Sequence, residues 1–152
     1  MQEDIRSLLL RILDEAYDKR AWHGPNLRGS LRGVTADQAA WRPAAGRHTI
    51  WDLAVHCAYW KYVVRRRLTR MRRGSFPREG SNWFATPPPE ERQWRADLAL
   101  LRDEHHALRD AVARAPRARL METLRLIYGA AAHDTYHTGQ IQLIRKLTRD
   151  SA

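Results

Sequence analysis

The sequence predicts an all-α protein, a four-helix bundle built by residues 1–152 as one domain, and three observations predict it. Four stretches place apolar residues three and four positions apart, the spacing that gathers them on one side of a helix. Clusters of glycine and proline separate those stretches. Nowhere does a strand-length alternation flank a hairpin turn, and no repeat at a solenoid period is present. At 152 residues the chain is long enough to bury a proper core.

The first helix is expected from Met1 to about Trp22, with Ile5, Leu8, Leu9, Ile12 and Ala16 on its apolar stripe. It should stop at His23-Gly24-Pro25, where glycine permits a left-handed cap and proline cannot continue. The connection to His48 is long for a bundle and should carry order of its own, including a short helix capped by Thr35 over Thr35–Trp41. It also leaves room for neighbouring helices to run parallel. Thr49-Ile-Trp-Asp52 fits a capping box and opens the second helix, with Leu53, His56, Trp60, Val63 and Val64 toward one side. Gly74 should close it. Residues 74–89 read as loop, with Trp83-Phe84 tucked onto the bundle as a lid or plug. A third helix is expected from Glu90 to about Ala115, where Pro116 ends it, and a fourth from near Thr123 to about Leu147.

The net charge is +10, and 24 of the 27 basic residues are arginine. Such a surface attracts anions. The run Arg65, Arg66, Arg67, Arg70, Arg72 and Arg73 closes the second helix, where cations complement the helix dipole. It is read as a solvated helix end, so nucleic acid is not expected as a partner. No run of eighteen apolar residues exists to span a membrane. Glu3 and Asp4 precede Leu8-Leu9-Leu10 and no small-residue cleavage site follows, which argues against a signal peptide. Cys57 is the one cysteine; it excludes an internal disulfide framework and fits a reducing cytoplasm.

The chemistry concentrates in Ala131-Ala-His133-Asp134-Thr-Tyr136-His137-Thr-Gly-Gln140. Histidines four apart project from one face of a helix, one turn above the other. His56 lies in the middle of the second helix. If the two helices pack together, three imidazoles converge and leave a coordination position for water or substrate, as at a catalytic metal. The zinc-protease signature His-Glu-x-x-His is not met, because Asp134 stands at its second position and no third ligand follows His137. Asp52 and Asp134 are placed to orient an imidazole from behind. Tyr136 and Gln140 are candidate substrate contacts, and His23 is a candidate acid/base at a pocket mouth. His105 is read as a rim or supporting histidine, His106 as exposed, and Cys57 as a small core residue.

Thr49-Ile-Trp-Asp-Leu-Ala-Val-His56 and His133-Asp-Thr-Tyr-His137-Thr-Gly-Gln-Ile141 resemble the DinB-like superfamily of metal-binding four-helix bundles. The likeness extends to Ala21-Trp-His-Gly-Pro-Asn26 and to the segment from Gly33 to Pro43. The resemblance implies that His56, His133 and His137 are ligands to a divalent metal, nickel or zinc, and that the protein is a homodimer. The superfamily includes thiol S-transferases and isomerases that use bacillithiol or mycothiol, which implies a low-molecular-weight thiol as a second cofactor. Its name implies no DNA chemistry. The expectation is a cytoplasmic, metal-dependent enzyme of small molecules, a thiol S-transferase in which the metal activates the thiol. A metal-dependent hydrolase and a non-enzymatic, stress-related metal-binding protein are the alternatives.

Overall fold

The Thr49 capping box opens the helix that carries His56. In a computed structural model that describes residues 4–151, Thr49 Oγ1 accepts from the Asp52 amide at 2.9 Å, and Asp52 Oδ2 accepts from the Thr49 amide at 3.0 Å. Each satisfies a backbone donor that the first helical turn leaves unpaired. The helices are α1 (Ile5–Tyr17), α2 (Leu27–Leu31), α3 (Ala36–Ala40), α4 (Ile50–Thr69), α5 (Glu91–Arg114) and α6 (Arg117–Asp150). The fold is all-α, with α1, α4, α5 and α6 forming the bundle and no strand among the described residues.

Several helix ends differ from the sequence expectation. Residues 1–3 of the expected first helix lie outside the described residues, and α1 ends at Tyr17 instead of Trp22. The early end goes with a bond from seven residues further on: Asn26 Nδ2 donates to the Lys19 carbonyl at 2.8 Å, while its Oδ1 caps α2 by accepting from the Gly29 amide at 2.8 Å. One side chain thus turns the chain and starts α2, a helix inside the connection that was expected to carry order of its own. The Thr35 cap does form, with Gln38 completing a second capping box. Gly74 does not close α4, which stops at Thr69 with Arg70 left-handed at φ 57°. The last helix begins six residues before Thr123 and runs three beyond Leu147. Pro116 ends α5 and immediately begins α6, since proline suits the start of a helix as well as the position after one.

Side-chain pairs fix the helix directions. Arg6 of α1 donates to the Ala115 carbonyl at 2.8 Å and Arg109 forks onto Asp14 at 2.7 and 3.0 Å, so α1 and α5 are antiparallel. Trp51 donates to Asp97 at 2.7 Å and Arg65 forks onto Glu104 at 3.0 and 3.1 Å, so α4 and α5 ascend together. Arg119 reaches the Leu68 carbonyl at 2.9 Å and Lys61 meets Asp134, so α6 descends along α4. The consecutive parallel pair is therefore α4 and α5, joined across the 70–90 connection. The longer first connection, with α2 and α3 inside it, returns α4 antiparallel to α1.

The core has two apolar parts. One gathers Trp51, Trp94, Leu101 and Ile141; the other gathers Leu9, Leu13, Leu108 and Ile127. Between them in register lies a polar layer: Lys61 of α4, His105 of α5 and Asp134 of α6. Lys61 and Asp134 are each 1% exposed and ion-paired, and Lys61 lies 3.5 Å from His105 Nδ1 and over the Tyr17 ring. His105 stacks on Tyr17 at 3.9 Å between centroids, so it is a core residue of this layer and not a rim group. Burial drives its pKa down to about 2 and Asp134 up from the usual carboxylate range, while Lys61 draws Asp134 back down.

A buried ion pair costs most when one partner is removed, because the remaining charge has neither water nor partner. Lys61→Met should therefore lower unfolding free energy by about 3–5 kcal/mol. Lys61→Met combined with Asp134→Leu should recover most of that loss in urea denaturation. A double variant no more stable than the single one would show that the pair contributes no such coupling.

Candidate metal centre

α4 and α6 bring three histidines to one point. His133 Nε2 lies 3.0 Å from His56 Nε2 and 3.0 Å from His137 Nε2. His133 and His137 share a face because they are one turn apart, and the antiparallel packing of α4 sets His56 beside them. His56 is 5% and His137 4% exposed, while His133 is half-buried. These nitrogens form a group that can hold a metal ion.

Two of the rings are held from behind. His56 Nδ1 donates to the Asn82 carbonyl at 2.7 Å, and His137 Nδ1 donates to Gln140 Oε1 at 2.6 Å. With the proton fixed on Nδ1, the Nε2 lone pair of each ring is free and points at the shared centre. Burial is the main cause that lowers His56 to about 4 and His133 to about 3, and it lowers His137 as well. The rings are thus neutral near pH 7, the form that ligates metal. A ligand distance of about 2.0–2.1 Å places two imidazole nitrogens on one ion roughly 3 Å apart. The donor set, its protonation and its spacing all fit a divalent ion of the zinc or nickel type.

The loop after α4 closes one side. Trp83 lies flat between two imidazoles, with its ring centroid 3.7 Å from that of His56 and 3.6 Å from that of His48. Asn82, left-handed at φ 65°, turns its carbonyl onto His56 while its side-chain oxygen accepts from Trp60 Nε1 at 2.9 Å. Arg78 pairs with buried Asp97 of α5, and Phe84 packs against Tyr59 and Phe76. The tucking of Trp83-Phe84 expected from the sequence is present, and Trp83 touches a member of the histidine cluster itself. His133 also lines a cleft of about 380 Å³ between α4 and α6.

Several expected roles fall elsewhere. Asp134 faces Lys61 and not an imidazole; Asp52 serves the Thr49 cap and also contacts Arg42 and Thr86. The groups behind the imidazoles are instead Asn82 and Gln140. Gln140, a candidate substrate contact, is committed to His137. Tyr136 is 65% exposed with its ring 5.0 Å from that of His137. His23 is exposed in the turn after α1, and no hydrogen bond or ring contact ties it to the three histidines. Cys57 is fully buried, as expected, and burial raises its thiol well above the ordinary range. It lies near His133 and Asp134 in a second potential donor group, but Lys61 occupies the Asp134 carboxylate. Asn82 and His48 carry no sequence signal for their roles. A backbone carbonyl is common to every residue, and a stacking partner has no fixed spacing.

The sequence model of the DinB superfamily matches residues 9–141. No curated protein and no solved structure matches the chain.

His56→Ala, His133→Ala and His137→Ala should each remove most of the bound metal in elemental analysis, while exposed His106→Ala should leave it in place. Gln140→Leu should weaken metal affinity by about 10- to 100-fold through loss of the ring's anchor. A protonated imidazole cannot ligate, so acid should displace the metal. Because burial lowers the pKa of His56 to about 4 and of His133 to about 3, displacement should lie below the ordinary histidine range. Stoichiometric metal in all three alanine variants would disprove the centre.

Proposed function

From the premise that this chain belongs to the DinB superfamily, we propose that it is a metal-dependent enzyme acting on small molecules, a thiol S-transferase. The observation that carries the reading is the convergence of three neutral imidazole nitrogens, two of them locked in the ligating tautomer. Three protein ligands with a position left over are the arrangement of a catalytic site, whereas structural zinc sites are closed by four. A divalent ion held there would favour thiolate over thiol and so supply a nucleophile at neutral pH.

The chain's own residues do the rest. Asn82 and Gln140 keep His56 and His137 from rotating or changing tautomer. Trp83 covers the His56 ring and excludes water from that side, leaving the cleft beside His133 as the approach. Tyr136, exposed next to His137, is placed to contact a substrate. In the transfer, the sulfur lone pair forms a bond to an electrophilic carbon. The leaving group departs with its bonding pair, and the thiol proton goes to solvent. The cytoplasm, where low-molecular-weight thiols stay reduced, is the compartment this chemistry needs. No helix among the described residues is long and apolar enough to cross a membrane.

The homodimer belongs to the same proposal. Met121, Tyr128, Tyr136, Leu143 and Leu147 are exposed along one line of α6, with Ala132 and Gly139 between them. Steps of seven residues from Met121 to Tyr128 and of three or four thereafter keep this stripe on one side of the helix over roughly 39 Å at 1.5 Å per residue. Small residues in its middle would let a second copy approach closely. Leu143→Glu should convert a dimer to a monomer in light scattering; an unchanged mass would rule out this face.

Addition of a low-molecular-weight thiol to the cobalt- or nickel-loaded protein should produce a sulfur-to-metal charge-transfer band. The band should persist in Cys57→Ser and vanish in His133→Ala. No band, with metal-dependent turnover of esters or amides, would replace the transferase by a hydrolase. Neither result would replace it by a binding protein.

A further inference from the structure

Gly129 stands in the middle of α6 without a conformational reason to be glycine. Its backbone is helical, its φ is not positive, and a Cβ built there would meet nothing within 4 Å. Glycine inside a helix is about 0.5–1 kcal/mol worse than alanine. No neighbouring protein atom accounts for it. What lies over Gly129 is the cleft of about 380 Å³ between α4 and α6, a volume within the range of small-molecule sites. Its walls are Trp60, Val63 and Val64 from α4 and Leu126 and Ala130 from α6, and His133 also lines it.

The same cleft is lined by two arginines, Arg67 and Arg125. Both are exposed, and neither side chain has an ion-pair partner among the described residues, although Arg65, Arg70 and Arg119 nearby are paired with Glu104 or Glu122. Arg67 also borders the neighbouring cleft beneath the 74–81 segment, where Arg66 and Arg73 add positive charge and Glu79 is the acidic group. An apolar trough with unpaired guanidinium groups on its lining and an imidazole beside it suits an amphipathic anion. Guanidinium groups hold carboxylate or phosphate oxygens in paired hydrogen bonds, and the tryptophan and aliphatic walls take an aromatic or aliphatic body.

We propose that the α4/α6 cleft binds a small molecule with an apolar body and an anionic end group, clamped by Arg67 and Arg125, and that Gly129 keeps the space for that body open. The proposal rests on the metal-dependent reading only for which end of the ligand faces His133. It also gives part of the arginine run a use that the helix dipole alone does not supply.

1-Naphthyl phosphate, 1-naphthoate, 1-naphthol and inorganic phosphate, titrated calorimetrically into the metal-free full chain, test it. Naphthyl phosphate or naphthoate should bind, with naphthol and phosphate each about tenfold weaker or more; the stronger of the two anions identifies the end group. Arg67→Gln and Arg125→Gln should each cost about tenfold, and Arg95→Gln, outside the cleft, nothing. Gly129→Leu should abolish binding, whereas Gly129→Ala should raise the melting temperature because alanine is the better helix former. Unchanged probe affinity in Gly129→Leu or in both arginine variants overturns the proposal. So does tighter binding of a duplex oligonucleotide than of either anion at physiological salt, if it is lost in the same variants. Metal uptake, measured by adding the divalent ion back to the same preparations, separates the two readings. Probe binding without metal uptake sinks the metal centre alone, and metal uptake without probe binding sinks the cleft alone.

Discussion

Lys61 and Asp134 are taken out of water together, and the site depends on that pairing. Each ion loses its hydration on folding, so the two helices that carry them are held in the register that lets the charges meet. Asp134 is the immediate neighbour of His133, and Lys61 lies five residues beyond His56 on α4. A shift of one turn between α4 and α6, about 5.4 Å, would strand both charges in an apolar core and separate the imidazoles. The same layer divides the core into its two apolar parts. Apolar contacts alone would tolerate sliding more readily than a single buried ion pair does.

With the register fixed, the strap between α4 and α5 completes the centre. Because α4 and α5 run parallel, the chain must travel back along the bundle between them, and residues 70–90 make that journey past the histidines. Four anchors set its path: Arg78 on Asp97, Asn82 on Trp60, Trp83 between His48 and His56, and Phe84 on Tyr59. An imidazole with one nitrogen tied to a backbone carbonyl and its face covered by an indole has little freedom left. Preorganisation of this kind places the remaining nitrogen for a ligand without a further entropic cost on binding.

The two sides of the centre differ in chemistry. The strap side is aromatic and closed. The α4/α6 side is an apolar trough with guanidinium groups on its lining, beside the least buried of the three histidines. This asymmetry sets His133, and neither of the other two histidines, on the lining of the trough. It also draws on the basic composition of the chain, since unpaired arginines around a concave surface attract anions from solution.

The helical spacing of apolar residues, the Thr49 and Thr35 caps and the four-residue separation of His133 and His137 were all legible in the sequence, because each is set by local backbone geometry. The convergence of His56 could be stated only as a condition, since it requires α4 and α6 to pack in one register. The starts of α3 and α4 were legible because Thr35 and Thr49 cap their own helices. Helix ends were missed where the deciding bond was less local, as when Asn26 takes the Lys19 carbonyl and stops α1 early. Asp134 shows the same divide at the site. Next to a histidine in sequence, it reads as a group that orients the ring, yet successive helical residues point about 100° apart. Its carboxylate therefore enters the core to meet Lys61, seventy-three residues away, while a loop carbonyl at Asn82 accepts the hydrogen bond from His56 Nδ1. The sequence by itself determined the four long helices and the donors on their apolar faces, because periodicity and capping act over one or two turns. Which donors meet, which partners hold them and which side stays open were decided by tertiary packing, because those depend on contacts between residues that only the folded chain brings together.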